Sequence, residues 1–141
     1  MAERQTIADE PSGGQASGSA WFEQVPKVEL HVHLEGAIPY EALWALVQKY
    51  GGEARVPNIE ALKRRFAYRD FAHFIDTWVW KNQFLRAYED FTLIAEAVAR
   101  DMASQNIRYA EVFFSPADFA RHGLQTQKIA EAIRQGLDLV Q

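Results

Sequence analysis

Pro26-Lys27-Val28-Glu29-Leu30-His31-Val32-His33-Leu34-Glu35-Gly36 decides how this 141-residue chain is read. Side chains alternate faces along a strand, so His31 and His33 project to one side, about 6–7 Å apart along the backbone. Two imidazoles so placed can reach a single ion of the zinc class, whose Zn–N bonds are about 2.0–2.1 Å. Val28, Leu30, Val32 and Leu34 are expected on the opposite face, as an apolar stripe for helices to cover. Glu29 is expected on the histidine face, one step deeper, where it could orient a ligating ring. Gly36 ends the run where a chain leaving a strand often needs backbone freedom. A bare His-x-His pair is usually incidental. The apolar stripe and the Glu-Gly exit set this one apart.

Outward from that strand, Pro39 suits the first turn of a helix reaching Tyr50, and Gly51-Gly52 stops it. A weaker helix is expected over Ile59–Phe66 and two stronger ones over Asp70–Leu85 and Tyr88–Gln105. A second strand, Ile107–Phe114, and a last helix, Thr126–Val140, follow. On the Asp70–Leu85 helix, Phe71, Phe74, Ile75 and Trp78 share a face at i, i+3, i+4 and i+7. That stripe reads as core packing or as a hydrophobic lid, while Trp80 points elsewhere and reads as a packing residue. Glu111 shares a strand face with Tyr109 and Phe113 and is expected in a buried pair or hydrogen bond. Residues 1–20 are small, polar and Gly/Ser-rich, so a disordered tail is expected there, with Trp21 and Phe22 opening the folded part as a turn that plugs its base.

Composition narrows the class. Hydrophobic residues make up 48% and aromatics 13%, enough for a core, and no apolar run reaches the length of about 18 that a membrane span needs. A net charge of −4 argues against a nucleic-acid partner, which calls for a basic face. The absence of cysteine removes disulfides and thiolate ligands, and with them the His/Cys/Cys deaminase site. No signal peptide opens the chain, so a cytoplasmic location is the default expectation.

The His-x-His run, Ala37-Ile38-Pro39, the Phe74-Ile75-Asp76 region, Tyr88-Glu89-Asp90-Phe91 and the strand Ile107-Arg108-Tyr109-Ala110-Glu111-Val112-Phe113-Phe114-Ser115-Pro116 occur in an order and spacing that resembles the adenosine deaminase family of metal-dependent amidohydrolases. The resemblance covers about residues 21–141. It implies an α/β fold, a (β/α)₈ TIM-type barrel of which this chain would hold two strands and the long helical insertion between them. It also implies one divalent metal, usually zinc, and hydrolytic deamination of adenosine or a related 6-aminopurine to the 6-oxopurine and ammonia. On the family pattern His31 and His33 are metal ligands. His33, Glu35, Phe74, Ile75 and Trp78 face a purine nucleoside, Glu35 at its sugar. Many members carry Asp at that position, and Glu is one methylene longer, which opens the alternative of an adenine or modified-adenosine deaminase.

Such a barrel typically needs about 250 residues. The family's third metal histidine, catalytic glutamate, further histidine and metal aspartate lie on later strands, and none is assignable here; His73 and His122 fall outside matching strands. No catalytic residue is therefore expected within this chain. It reads as the amino-terminal third of the enzyme, inactive alone, with an open barrel edge prone to self-association. A non-catalytic remnant or partner-binding helical module is the remaining alternative.

Overall fold

In the computed structural model, which describes residues 18–140, the histidine-bearing run extends as β1 (Lys27–His33) and pairs in parallel with β2 (Ile107–Phe113). Residues 1–17 of the expected tail lie outside the described residues. Gly18 to Ala20, also assigned to that tail, begin a short helix instead, α1 (Gly18–Gln24). Trp21 and Phe22 pack edge to face at 5.0 Å on it but stay exposed, so among the described residues they plug nothing.

Four helices fill the connection between the strands: α2 (Tyr40–Lys49), α3 (Ile59–Arg65), α4 (Phe71–Asn82) and α5 (Tyr88–Ser104). Their starts follow local chemistry. The Asn58 side chain accepts a hydrogen bond from Ala61 N at 2.9 Å and Asp70 accepts from His73 N at 2.8 Å, each meeting an orphan N–H of a first turn. Gly51 and Gly52 turn the chain out of α2 at φ of 92° and 80°, where a side chain would strain the backbone. α6 (Thr126–Leu137) lies against α5, with Gly136 at the contact. Two 3₁₀ turns, Leu34–Gly36 and Pro116–His122, follow the strands; neither is evident from periodicity.

The core gathers Leu34, Leu43, Leu46, Leu62, Leu85, Phe91 and Ile94 under the strand ends, and Trp80 belongs to it as expected. A buried carboxylate organises the polar part. Asp90 accepts from Lys49 Nζ and Tyr50 Oη, both at 2.6 Å, and from Arg86 N at 2.8 Å and Ala87 N at 2.9 Å. One side chain thus caps α5 and ties it to the end of α2.

The register departs from strict alternation. Glu29 pairs with Ala110 and Val32 with Val112, so two residues of β1, Leu30 and His31, oppose the single Glu111. That is a β-bulge, and it flips the face on which the preceding residues lie. Glu29 and Val32 consequently line one hollow against Val98 and Met102 of α5. Val28 pairs with Tyr109 and is 60% exposed; Leu30 is 62% exposed. The expected apolar stripe therefore holds only for Val32 and Leu34, and Glu29 does not lie beneath the histidines. Glu111 does share a face with Tyr109, whose hydroxyl donates to its Oε1 at 3.0 Å, but both are exposed rather than buried.

Candidate active site

His31, the second residue of the bulge, and His33 beyond it stand together at the carboxyl end of β1, with ring centroids 5.3 Å apart. Phe113, which pairs with His33 across the ladder, stacks on His31 at 4.5 Å and lies 6.3 Å from His33. Both imidazoles are exposed on this face. A tetrahedral ion held at about 2.0–2.1 Å by one nitrogen of each ring needs ring centres roughly 5 Å apart. The pair fits that requirement. It is an incomplete set: among the described residues no three His, Cys, Asp or Glu side chains come together as a metal-holding group. His73 sits in the first turn of α4 and His122 ends the second 3₁₀ turn, and neither joins the pair.

The α4 stripe leads to the same place. Phe71 and Phe74 stack at 6.0 Å, Phe74 and Trp78 lie 6.2 Å apart, and the Trp78 ring meets His33 edge to face at 5.9 Å and 87°. Phe71 is 77% exposed, Ile75 is exposed, and Phe74 and Trp78 are half-buried. Ordinary core packing does not account for such a stripe. It is an open aromatic wall running from the α4 amino terminus to the imidazole pair.

Glu35, which the family resemblance puts at the sugar of the substrate, is enclosed in this structure. It lies in the 3₁₀ turn after β1, has no exposed surface, and accepts a hydrogen bond from Ser115 N at 2.7 Å. Its Oε2 is buried without a hydrogen-bond partner. The carboxylate thus clamps the exits of both strands together.

Three polar residues that sequence reading passed over, Lys81, Asn82 and Asp118, gather about Trp78 between α4 and the turn after β2. Lys81 is 2% exposed; its Nζ lies 3.6 Å from the centre of the Trp78 ring and donates to Asn82 Oδ1 at 3.3 Å. Burial lowers the Lys81 ammonium from 10.5 to about 7, against the opposing pull of the Glu35 and Asp118 charges. Asp118 Oδ2 accepts from Trp78 Nε1 at 3.1 Å and from Asn82 Nδ2 at 3.0 Å. A lysine and an asparagine directly after the apolar run Trp78-Val79-Trp80 were the available signal for the first two. Asp118, two residues past Pro116, carried none.

An adenosine deaminase family model matches residues 26–140. The chain belongs to the adenosine deaminase family. Among curated relatives, an adenine deaminase of Bordetella avium is 34% identical over 117 residues, covering 83% of this chain and 37% of that protein. An aminodeoxyfutalosine deaminase of Streptomyces coelicolor is 37% identical over 115 residues, covering 81% of this chain and 30% of its own length. The chain therefore spans about a third of the length of these relatives. Among solved structures, an adenine deaminase from Arthrobacter aurescens superposes with a TM-score of 0.69 at 26% identity, over 82% of this chain and 36% of that one. A cog1816 amidohydrolase from Burkholderia ambifaria with bound Zn gives 0.73 at 27%, over 92% and 36%. The fold is accordingly α/β, the amino-terminal part of a (β/α)₈ barrel in which the loops after the strands build the site. No helix among the described residues is long and apolar enough to cross a membrane.

Proposed function

We propose that this protein takes part in the hydrolytic deamination of a 6-aminopurine, with His31 and His33 supplying two ligands to a divalent metal, zinc by preference. The observation that carries this reading is the imidazole pair at ion-bridging separation, walled by Phe113 on one side and Trp78 on the other. Bound there, the metal would make water a nucleophile near neutral pH. The chain's own residues do the rest of what can be derived. Phe113 and Trp78 restrict the two rings, and Phe74 and Ile75 extend an apolar surface suited to the flat face of a purine. The proton donor to the ring is not among the residues described.

Free adenine is the favoured substrate over a nucleoside. A carboxylate reserved for a sugar hydroxyl must be reachable, and Glu35 is buried with one oxygen committed to Ser115 N. The likeness to adenine deaminases supports the same choice. The likeness to an aminodeoxyfutalosine deaminase supports a nucleoside-type substrate as the second reading.

Steady-state kinetics on adenine, adenosine and aminodeoxyfutalosine test the proposal in a zinc-supplied barrel completed by joining residues 21–141 to the later strands of an adenine deaminase, with Glu35→Gln as the variant. Adenine should be turned over with the highest kcat/KM, and Glu35→Gln should lower it for every substrate alike, since the clamp shapes the whole site. A loss confined to nucleosides would return Glu35 to the sugar. Absence of ammonia release from all three in the completed barrel would overturn the deaminase reading.

A further inference from the structure

The Trp78 indole is the link between α4 and the imidazole pair, and its orientation is not set by packing alone. Its ring meets His33 at nearly a right angle, while Lys81 Nζ covers one of its faces at 3.6 Å. Its single polar atom, Nε1, donates to Asp118 Oδ2 at 3.1 Å. The same oxygen of Asp118 takes the Asn82 amide, one helical turn further along α4. Asp118 lies in the turn that follows β2 and so reaches the helix from a different element, 40 residues away in sequence. A carboxylate accepting two N–H groups at about 3 Å is a directional anchor, because charged acceptors make the stronger hydrogen bonds.

We propose that Asp118 is the positioning residue that fixes Trp78 against His33, so that the loop after β2 sets the shape of the site built on β1. It touches neither the imidazoles nor the space between them and acts through the indole. The proposal deepens the reading of His31 and His33 as the functional centre and rests on it. Loss of the anchor frees the indole to rotate about χ2, opening the wall beside His33 and leaving Asn82 and Lys81 to reorganise around a vacated acceptor.

The test follows the indole and the imidazole separately from catalysis. In the isotope-labelled protein, the Trp78 Nε1–H signal is identified by its loss in Trp78→Phe. Asp118→Ala should speed exchange of that proton with solvent by roughly tenfold, the factor expected for losing a charged hydrogen bond. It should also shift the His33 ring protons, which feel the indole's ring current, more than those of His31. Asp118→Asn is isosteric, keeps an acceptor without the charge, and should fall between the two. It gives the answer if the alanine variant does not fold. In the Trp78→Phe background, substituting Asp118 should move the His33 signals no further, as residues acting through one link are non-additive. In the completed barrel with adenine as substrate, Asp118→Ala should raise KM about tenfold and leave kcat within about twofold. Unchanged indole exchange and His33 signals in both Asp118 variants would overturn the inference. A completed barrel inactive on every purine contradicts the proposed function alone, and the two signals still decide the role of Asp118.

Discussion

Lys81 shows how much of a site can hide in one residue. In the sequence it is one more helix lysine; in the fold it is 2% exposed, with its amine over the Trp78 ring. Desolvation holds its pKa near 7 against an ordinary 10.5. Between those values the unfolded chain binds the proton that the folded chain has released. Stability therefore rises with pH from about 7 to 10.5, by at most about 1.4 kcal/mol per pH unit. Urea unfolding of the wild type and of Lys81→Met across that window should show a gain that the methionine variant lacks. Parallel curves for the two proteins would show that Lys81 stays charged in the fold. That His31 and His33 come together was legible because strand alternation is a local rule. The roles of Lys81, Asn82 and Asp118 were not, because each depends on a partner brought in from another element.

Among elements, the helices followed their capping and stop residues closely, and both strands appeared where they were expected, β1 on alternating apolar and polar residues and β2 on a run rich in aromatic and β-branched ones. The bulge in β1 was invisible for the same reason. Val28 to Leu34 alternate without a break, and the extra residue exists only relative to β2. Two predictions belong at this scale. Asp90 serves four donors, Lys49 and Tyr50 at the end of α2 and the Arg86 and Ala87 N–H groups of the α4–α5 link, and its hydrogen bond and charge hold Lys49 protonated well above the usual lysine range. Asp90→Ala should lower stability by about 2–4 kcal/mol, read as a shift in the urea midpoint, since it leaves buried donors unpaired. A loss below ~0.5 kcal/mol would make the network ornamental. Gly136 permits the α5–α6 contact: a Cβ there would stand 2.2 Å from Thr92 O and 2.8 Å from Ala95 Cβ. Backbone cannot give way cheaply, so Gly136→Ala should cost about 1–3 kcal/mol by overpacking and reduce hydrogen-exchange protection in α6 before α5. Full retention of the α6 protection would mean the helices separate without penalty.

For the molecule as a whole, the family and the barrel architecture were legible from the order of the motifs, and the face that each strand presents was not. Val28, Leu30, Tyr109 and Phe113 stand exposed on a sheet that has two strands among the described residues. Apolar side chains beside unpaired strand edges favour association. Sedimentation of the 141-residue chain should show concentration-dependent oligomers, diminished by Leu30→Lys; a monomer at all concentrations would count against an open sheet. The same exposed face carries His31 and His33, on which the functional reading depends. Calorimetric titration of the protein with Zn²⁺, comparing wild type with His31→Ala, His33→Ala and the double variant, measures that dependence. One site per chain should appear in the wild type, weakened at least tenfold by either substitution and absent from the double variant. Zinc affinity unchanged in the double variant would contradict it.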